Sequence, residues 1–314
     1  TDELVKAIRE SLCEKYSKLA YACGEEDFKC QIENYSRALS FHPLDELVLF
    51  NRGLARNKSG DYDASIEDYT NVLQITPNDS DAWGNRGNSY ARKGDYTKAL
   101  KDYDKAIELA PKDSVAYFNR AMSHFDTQKY DQAIRDFTTF LSLKPKQADA
   151  HNNRGEAYFE NEQYDLAIKD FSQAIALAPK TADQYVNRGR AYLAKNQFVL
   201  AIRDFDRAIK IDPQNAYGYH NRGFAYFRQI KYDLALRDYD RSIELAPTAE
   251  RYIDRGEAFK QKRDFARALK DFDLAIGVDP KKWLAYYSKG EIYVEWKDYE
   301  QAIVNFSKSI EHNP

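Results

Sequence analysis

Glycine and proline are scarce in this chain, 13 and 9 among 314 residues, and no stretch is enriched in them. That excludes a flexible linker and any low-complexity segment. Cysteine is scarcer still, with Cys13, Cys23 and Cys30 all near the start. An odd number, with no CxxC spacing and no ligand cluster nearby, argues against a disulfide framework and against a zinc site. It points to reduced thiols in a cytoplasmic protein. The five histidines, His42, His124, His151, His220 and His312, fall in unrelated contexts and form no metal pattern. No apolar run approaches the roughly 18 residues that span a bilayer, so no membrane insertion is expected. Neither charge sign prevails: the formal net charge is −3, which removes the global basic field of a nucleic-acid binder. Glycine-rich phosphate loops, nucleophile elbows and zinc motifs are missing too, so neither an enzyme nor a cofactor is expected.

What is there is a repeat. The prolines are Pro43, Pro77, Pro111, Pro145, Pro179, Pro213, Pro247, Pro280 and Pro314, spaced by 34 residues except for one interval of 33. With proline counted as position 32, position 8 is Gly53, Gly87, Ala121, Gly155, Gly189, Gly223, Gly256 and Gly290. Position 24 is always aromatic, from Tyr69 and Tyr103 through Phe171 and Phe205 to Phe306, and position 20 is mostly alanine. Positions 4, 8 and 11, and then 17, 20, 21, 24, 27 and 28, have helical spacing. Each repeat therefore reads as two amphipathic helices, closed by the proline. One pair cannot bury its apolar faces alone, so stacked pairs must share a continuous core: an all-α solenoid.

The aromatic-x3-Gly-x2-Tyr run, then Ala-x3-aromatic, then Pro, is met almost completely between Trp83 and Pro111. In this the chain resembles the tetratricopeptide repeat family, which implies helix–turn–helix repeats stacked in a right-handed superhelix. Eight repeats are expected at 44–77, 78–111, 112–145, 146–179, 180–213, 214–247, 248–280 and 281–314. Residues 1–43 are expected to hold an N-terminal helix and a degenerate repeat. Ala121 in place of glycine, with Phe140 nearby, predicts a local change of packing in the third repeat. The missing residue after Pro247 predicts a shortened turn. The absent initiator methionine and the end on a repeat boundary suggest a fragment of something longer.

At 100° per residue, positions 2, 6, 9 and 13 of the first helix face away from the core. Position 6 is asparagine in six repeats: Asn51, Asn85, Asn119, Asn153, Asn187 and Asn221. Asparagine costs about 0.5 kcal/mol against alanine inside a helix, so six such choices suggest a purpose. A primary amide offers both donors and an acceptor to an extended peptide backbone. The resemblance places these residues on the inner, concave wall. A similar ladder lines the repeat superhelix of O-linked N-acetylglucosamine transferase. Asp254 and Ser288 break the ladder at the C-terminal end. Around it lie Asp149, Glu156, Glu257 and Glu291, with Met122, Tyr217 and Phe224 for apolar side chains. Positions 2, 9 and 13 carry ten acids against four bases. The expected partner is therefore a basic or apolar protein segment, not nucleic acid. Two other functions fit the same pattern: a substrate-recruiting arm of a larger enzyme, and an assembly scaffold acting through its convex face.

Arginine at position 7 is expected to pair with aspartate at position 23 within each repeat. In the last repeat Lys289 and Asn305 replace the two together. The Asp-x-Asp pairs, such as Asp102 with Asp104, diverge by about 200° on a helix and are structural rather than catalytic.

Overall fold

The computed structural model describes residues 2–313, and every regular element among them is an α-helix. The helices divide between two compact units, meeting between Lys146 and Gln147. The first unit holds α1 (Asp2–Ala22), α2 (Phe28–Phe41), α3 (Glu46–Ser59), α4 (Tyr62–Ile75), α5 (Ser80–Arg92), α6 (Tyr96–Leu109), α7 (Ser114–Asp126) and α8 (Tyr130–Leu143). The second holds α9 (Ala148–Glu160), α10 (Tyr164–Leu177), α11 (Ala182–Ala194), α12 (Phe198–Ile211), α13 (Ala216–Arg228) and α14 (Tyr232–Leu245). It continues with α15 (Ala249–Gln261), α16 (Phe265–Val278), α17 (Trp283–Glu295) and α18 (Tyr299–His312).

Local chemistry sets the helix ends. The Asp45, Asp79 and Asp113 carboxylates accept backbone N–H bonds from the first turns of α3, α5 and α7. The second helix stops two residues short of the proline; Ala110, before Pro111, has already left the helical region at φ −131° and ψ 75°. The turn inside each repeat needs one left-handed residue. Gly60 and Gly94 supply it freely, whereas Gln128, Glu162, Asn196, Ile230, Arg263 and Lys297 adopt positive φ without being glycine.

Each odd-numbered helix packs on the helix that follows it, and within a unit the second helix of one pair packs on the first helix of the next. The core forms where position 24 meets position 8. Phe205 is fully buried and lies so close to Gly189 that a Cβ there would stand 2.5 Å from its ring. In the third repeat Ala121 is accommodated, and Phe140 packs on Phe118 with ring centroids 5.2 Å apart. The boundary between the two units follows this repeat directly. Thr248 caps α15 across the shortened connection after Pro247, and the Arg251 guanidinium bonds the Ala246 carbonyl.

Within residues 1–43 the N-terminal helix is longer than the first helices that follow, since α1 runs unbroken for 21 residues, and it packs on α2 as a first helix. No glycine or proline interrupts Asp2–Ala22, and that explains its length. The expectation of three reduced thiols changes: Cys23 and Cys30 are joined across the α1–α2 turn, leaving Cys13 free and buried. Spacing gave no hint of this bond, since the two lie seven residues apart. The argument from thiols to a cytoplasmic location falls with it. Among the described residues no helix is long and apolar enough to cross a membrane.

Candidate functional site

The first helices are held in register by a lattice of ion pairs. Arg52, Arg86, Arg120, Arg154, Arg188, Arg222 and Arg255 each clamp the aspartate at position 23 of the same repeat through Nε and Nη2. The partners are Asp68, Asp102, Asp136, Asp170, Asp204, Asp238 and Asp271, at 2.6–3.0 Å. The joint change in the last repeat has its reason: Lys289 turns to Asp273, and Asn305 donates to the Gln301 carbonyl at 2.8 Å. Hydrogen bonds donated to Asp136, Asp238 and Asp271 raise the pKa of Arg120, Arg222 and Arg255 above the ordinary guanidinium value.

The third nitrogen, Nη1, reaches back to position 25 of the preceding repeat. Arg52 meets Ser36, Arg86 meets Thr70, Arg120 meets Asp104, Arg188 meets Ser172, Arg222 meets Asp206 and Arg255 meets Asp240, at 2.6–3.2 Å. Sequence reasoning missed this link. The signal was present: position 25 is serine, threonine or aspartate throughout. It also explains the Asp-x-Asp pairs. The first carboxylate holds its own repeat's arginine, and the second holds the base of the next.

The asparagines at position 6 fare differently from one another. Asn85 and Asn221 each donate one N–H to a carbonyl four residues back, of Asp81 at 2.9 Å and of Tyr217 at 2.8 Å. Each keeps a second N–H and its carbonyl oxygen. Asn51 uses both N–H groups, on the Tyr21 hydroxyl and the Leu47 carbonyl. Asn119 makes no side-chain hydrogen bond with the described residues and lines a pocket. Asn153 is half-buried on α9. Asn187 is 9% exposed and donates to Asn152 at 3.1 Å and Glu156 at 2.6 Å, both on the preceding first helix. The ladder's two exceptions bond across the same seam: Asp254 meets His220 Nε2 at 2.6 Å, and the Ser288 hydroxyl donates to Glu257. Position 6 thus lies beside the seam between successive first helices. An isolated helical wheel cannot show that neighbour.

Models described as tetratricopeptide repeat match residues 80–113, 118–182, 216–249, 249–282 and 283–314, and one described as TPR repeat matches 53–94 and 189–229. The chain belongs to the tetratricopeptide repeat family. Tetratricopeptide repeat protein 6 of Homo sapiens is 34% identical over 70 residues, 22% of this chain and only 14% of that protein. A tetratricopeptide repeat protein from Parabacteroides merdae ATCC 43184 superposes with a TM-score of 0.64 at 20% identity, over 84% of this chain and 98% of that one. The C-terminal part of a TPR repeat-containing protein from Cytophaga hutchinsonii gives 0.62 at 18% identity, over 75% and 97%. Both are likenesses of fold. Tetratricopeptide repeats build protein-interaction scaffolds and are typically non-catalytic.

Within each unit, successive first helices of the tetratricopeptide stack also touch one another, α3 with α5 and α5 with α7, then α9 with α11 and onward to α17. Successive second helices make at most marginal contact, so the first helices form the inner side. On the inner side of the first unit is a pocket of 530 Å³ lined by Asn57, Asn88, Phe118, Asn119, Met122 and Asp126 among others. Tyr103 donates its hydroxyl to Asn88 at 2.7 Å and thereby orients that amide. Burial, then the charge and hydrogen bond of Asp126, raise the pKa of the Tyr96 phenol at the pocket's edge.

The inner acids of the second unit are largely spent on the protein itself. Lys260 bridges Glu257 and Glu291, each at 2.8 Å, and Lys282 takes Glu250. Glu160 faces Arg190 at 3.8 Å and Glu295 faces Arg263 at 3.1 Å. The acidic surplus expected from the sequence counted positions 2, 9 and 13; that count included Arg190 but omitted Lys260, Lys282 and Arg263. Asp149 remains exposed. Tyr217 is 67% exposed, with the Arg251 guanidinium 5.0 Å from its ring, and Phe224 has Arg228 at 5.8 Å. Among the described residues no group of His, Cys, Asp and Glu is placed to hold a metal ion.

Proposed function

We propose that the inner faces of the first helices bind an extended segment of a partner protein. Side-chain amides hold its main chain, and pockets take its apolar side chains. One observation carries this reading: in the first unit Asn119, with its amide unengaged, borders a pocket whose lining includes Phe118 and Met122. Apolar linings with a few convergent polar groups are what small binding sites need. In the second unit Asn221, Tyr217 and Phe224 on α13 offer the same combination. Asn187 is left out of the site, because its amide serves the seam. Apolar rather than basic anchors are proposed for the ligand, since bases of the chain itself already face the acids near α15 and α17.

Each available amide contributes about 0.5–1.5 kcal/mol net, and ordering a flexible segment removes several kcal/mol, so affinity should be micromolar. The test is a peptide array probed with the intact chain, followed by titration of the best peptides. The combined Asn85→Ala, Asn119→Ala and Asn221→Ala variant should bind about tenfold or more weakly, at two or three contacts' worth of free energy. Unchanged affinity in a folded variant rejects the reading.

A further inference from the structure

We infer that the outer face of the second unit is a separate docking surface for an acidic, leucine-bearing segment of a partner protein. Position 22, midway along the second helix, is a base in six of eight repeats: Lys101, Arg135, Lys169, Arg203, Arg237 and Lys270. In the second unit α10, α12 and α14 place exposed Lys169, Arg203 and Arg237 three residues after Leu166, Leu200 and Leu234, which are themselves 43%, 37% and 39% exposed. Residues three apart share a helix face, so three successive second helices each present one leucine beside one base.

The fold gives these charges little to do beyond the attraction of Arg237 to Asp233. Lys169, Arg203 and Arg237 make no ion pair or side-chain hydrogen bond with the described residues. Acids on the same helices are engaged elsewhere. Asp165 is taken by Lys195, Asp233 by Lys262, Asp206 by Arg222 and Asp240 by Arg255. An acid four residues earlier would explain a base at position 22 as a helix pair. Asp165 and Asp233 stand in that place, but Arg203 and Lys270 have Val199 and Ala266 there. Any solvated face keeps a protein soluble, but solubility does not require one sign at one position.

Charge complementarity makes the partner acidic, and the paired leucines make it amphipathic. Nucleic acid fits less well, because the ridge has leucine where single-strand binders carry aromatic stacking platforms. A membrane surface fits less well too, since one leucine per helix buries little in a headgroup layer. This surface is independent of the inner face.

The test is fluorescence anisotropy on the intact chain with a labelled peptide of repeating glutamate and leucine. A peptide with lysine for glutamate serves as control. Oligothymidylate and phosphatidylserine vesicles provide the competing arms. The acidic peptide should bind with an affinity that falls as salt rises. The combined Lys169→Glu, Arg203→Glu and Arg237→Glu variant should lose about tenfold or more, and should gain affinity for the lysine peptide. Leu166→Ser, Leu200→Ser and Leu234→Ser together should weaken binding at any salt. The Asn85→Ala, Asn119→Ala and Asn221→Ala variant should bind like the parent. The inference is overturned if the parent ignores the acidic peptide, if the reversed variant binds it equally, or if oligothymidylate or vesicles bind more tightly through the same three bases.

Discussion

The two units carry the same repeat and the same arginine lattice, yet their inner faces differ. In the first unit Asn85 and Asn119 keep bonding capacity, and Asn119 opens on a pocket. In the second Asn221 keeps the same capacity, but Asn187, Asp254 and Ser288 occupy the same position and bond the preceding first helix. A position in a repeat therefore does not fix a role. What decides is the neighbour across the seam: Glu156, His220 and Glu257 are long or ring-bearing polar partners that a position-6 side chain can reach. The equivalent residues on the helices preceding Asn85 and Asn119, namely Phe50, Leu54, Gly84 and Asn88, offer no such carboxylate or imidazole.

The comparison requires the scaffold to be equal in both units. Asp102→Ala and Asp204→Ala each leave a half-buried arginine without its fork; the carboxylates are 6% and 5% exposed. Each should cost about 3–5 kcal/mol, the penalty of an uncompensated buried charge. Urea unfolding of the two variants side by side checks this. A difference of more than about 1 kcal/mol, the usual context scatter, would place the contrast in the lattice rather than on the inner face.

The sharper contrast is between two asparagines at one position. Asn187→Ala should destabilise by about 1–3 kcal/mol, because Glu156 and Asn152 lose a buried donor. Asn85→Ala should be neutral or stabilising by up to about 0.5 kcal/mol, since it swaps a poor helix former for the best. Equal losses at both would erase the distinction.

Much of this fold was legible from proline spacing alone, and the lattice from the joint appearance of Lys289 and Asn305. Both signals live inside one repeat. What lay between repeats was not legible in the same way. The Nη1 links need two helices set side by side, and the burial of Asn187 depends on a partner 31 residues earlier. A period-based reading aligns equivalent positions but says nothing of which unlike positions touch. The continuous α1 is a different case. Its lack of breakers was in view, but the repeat register did not extend far enough to show where that helix ends.

The turns differ as well. Two of the first unit's left-handed turn residues are glycine, Gly60 and Gly94, whereas in the second unit none is. Ile230 is β-branched, 73% exposed and held at φ 63°. Ile230→Gly should therefore stabilise by about 1 kcal/mol, and Gly94→Ala should destabilise by a similar amount. Thermal melts of both single variants give the two signs. Matching signs would mean that these turns relax at no cost.

The smallest expected effect concerns a residue that only the first unit has. Position 11 is aromatic throughout the second unit, at Tyr158, Tyr192, Tyr226, Phe259 and Tyr293, but is His124 on α7. Burial lowers the His124 pKa from its ordinary 6.5; Asp136 opposes the shift, and Arg120 and Lys129 add to it. The Nδ1 atom is buried with no partner among the described residues. As pH falls through 6.5, the unfolded chain takes up this proton while the folded chain still resists it. Stability is thus lost on acidification below that value and is fully present above it. His124→Tyr installs the aromatic that six of the other seven repeats use and removes the titration. Unfolding of parent and variant should diverge as pH falls below neutrality, with the parent losing more. Hydrogen exchange should place the extra opening in α7 and α8. Parallel pH profiles would assign the acid sensitivity to groups shared by both units.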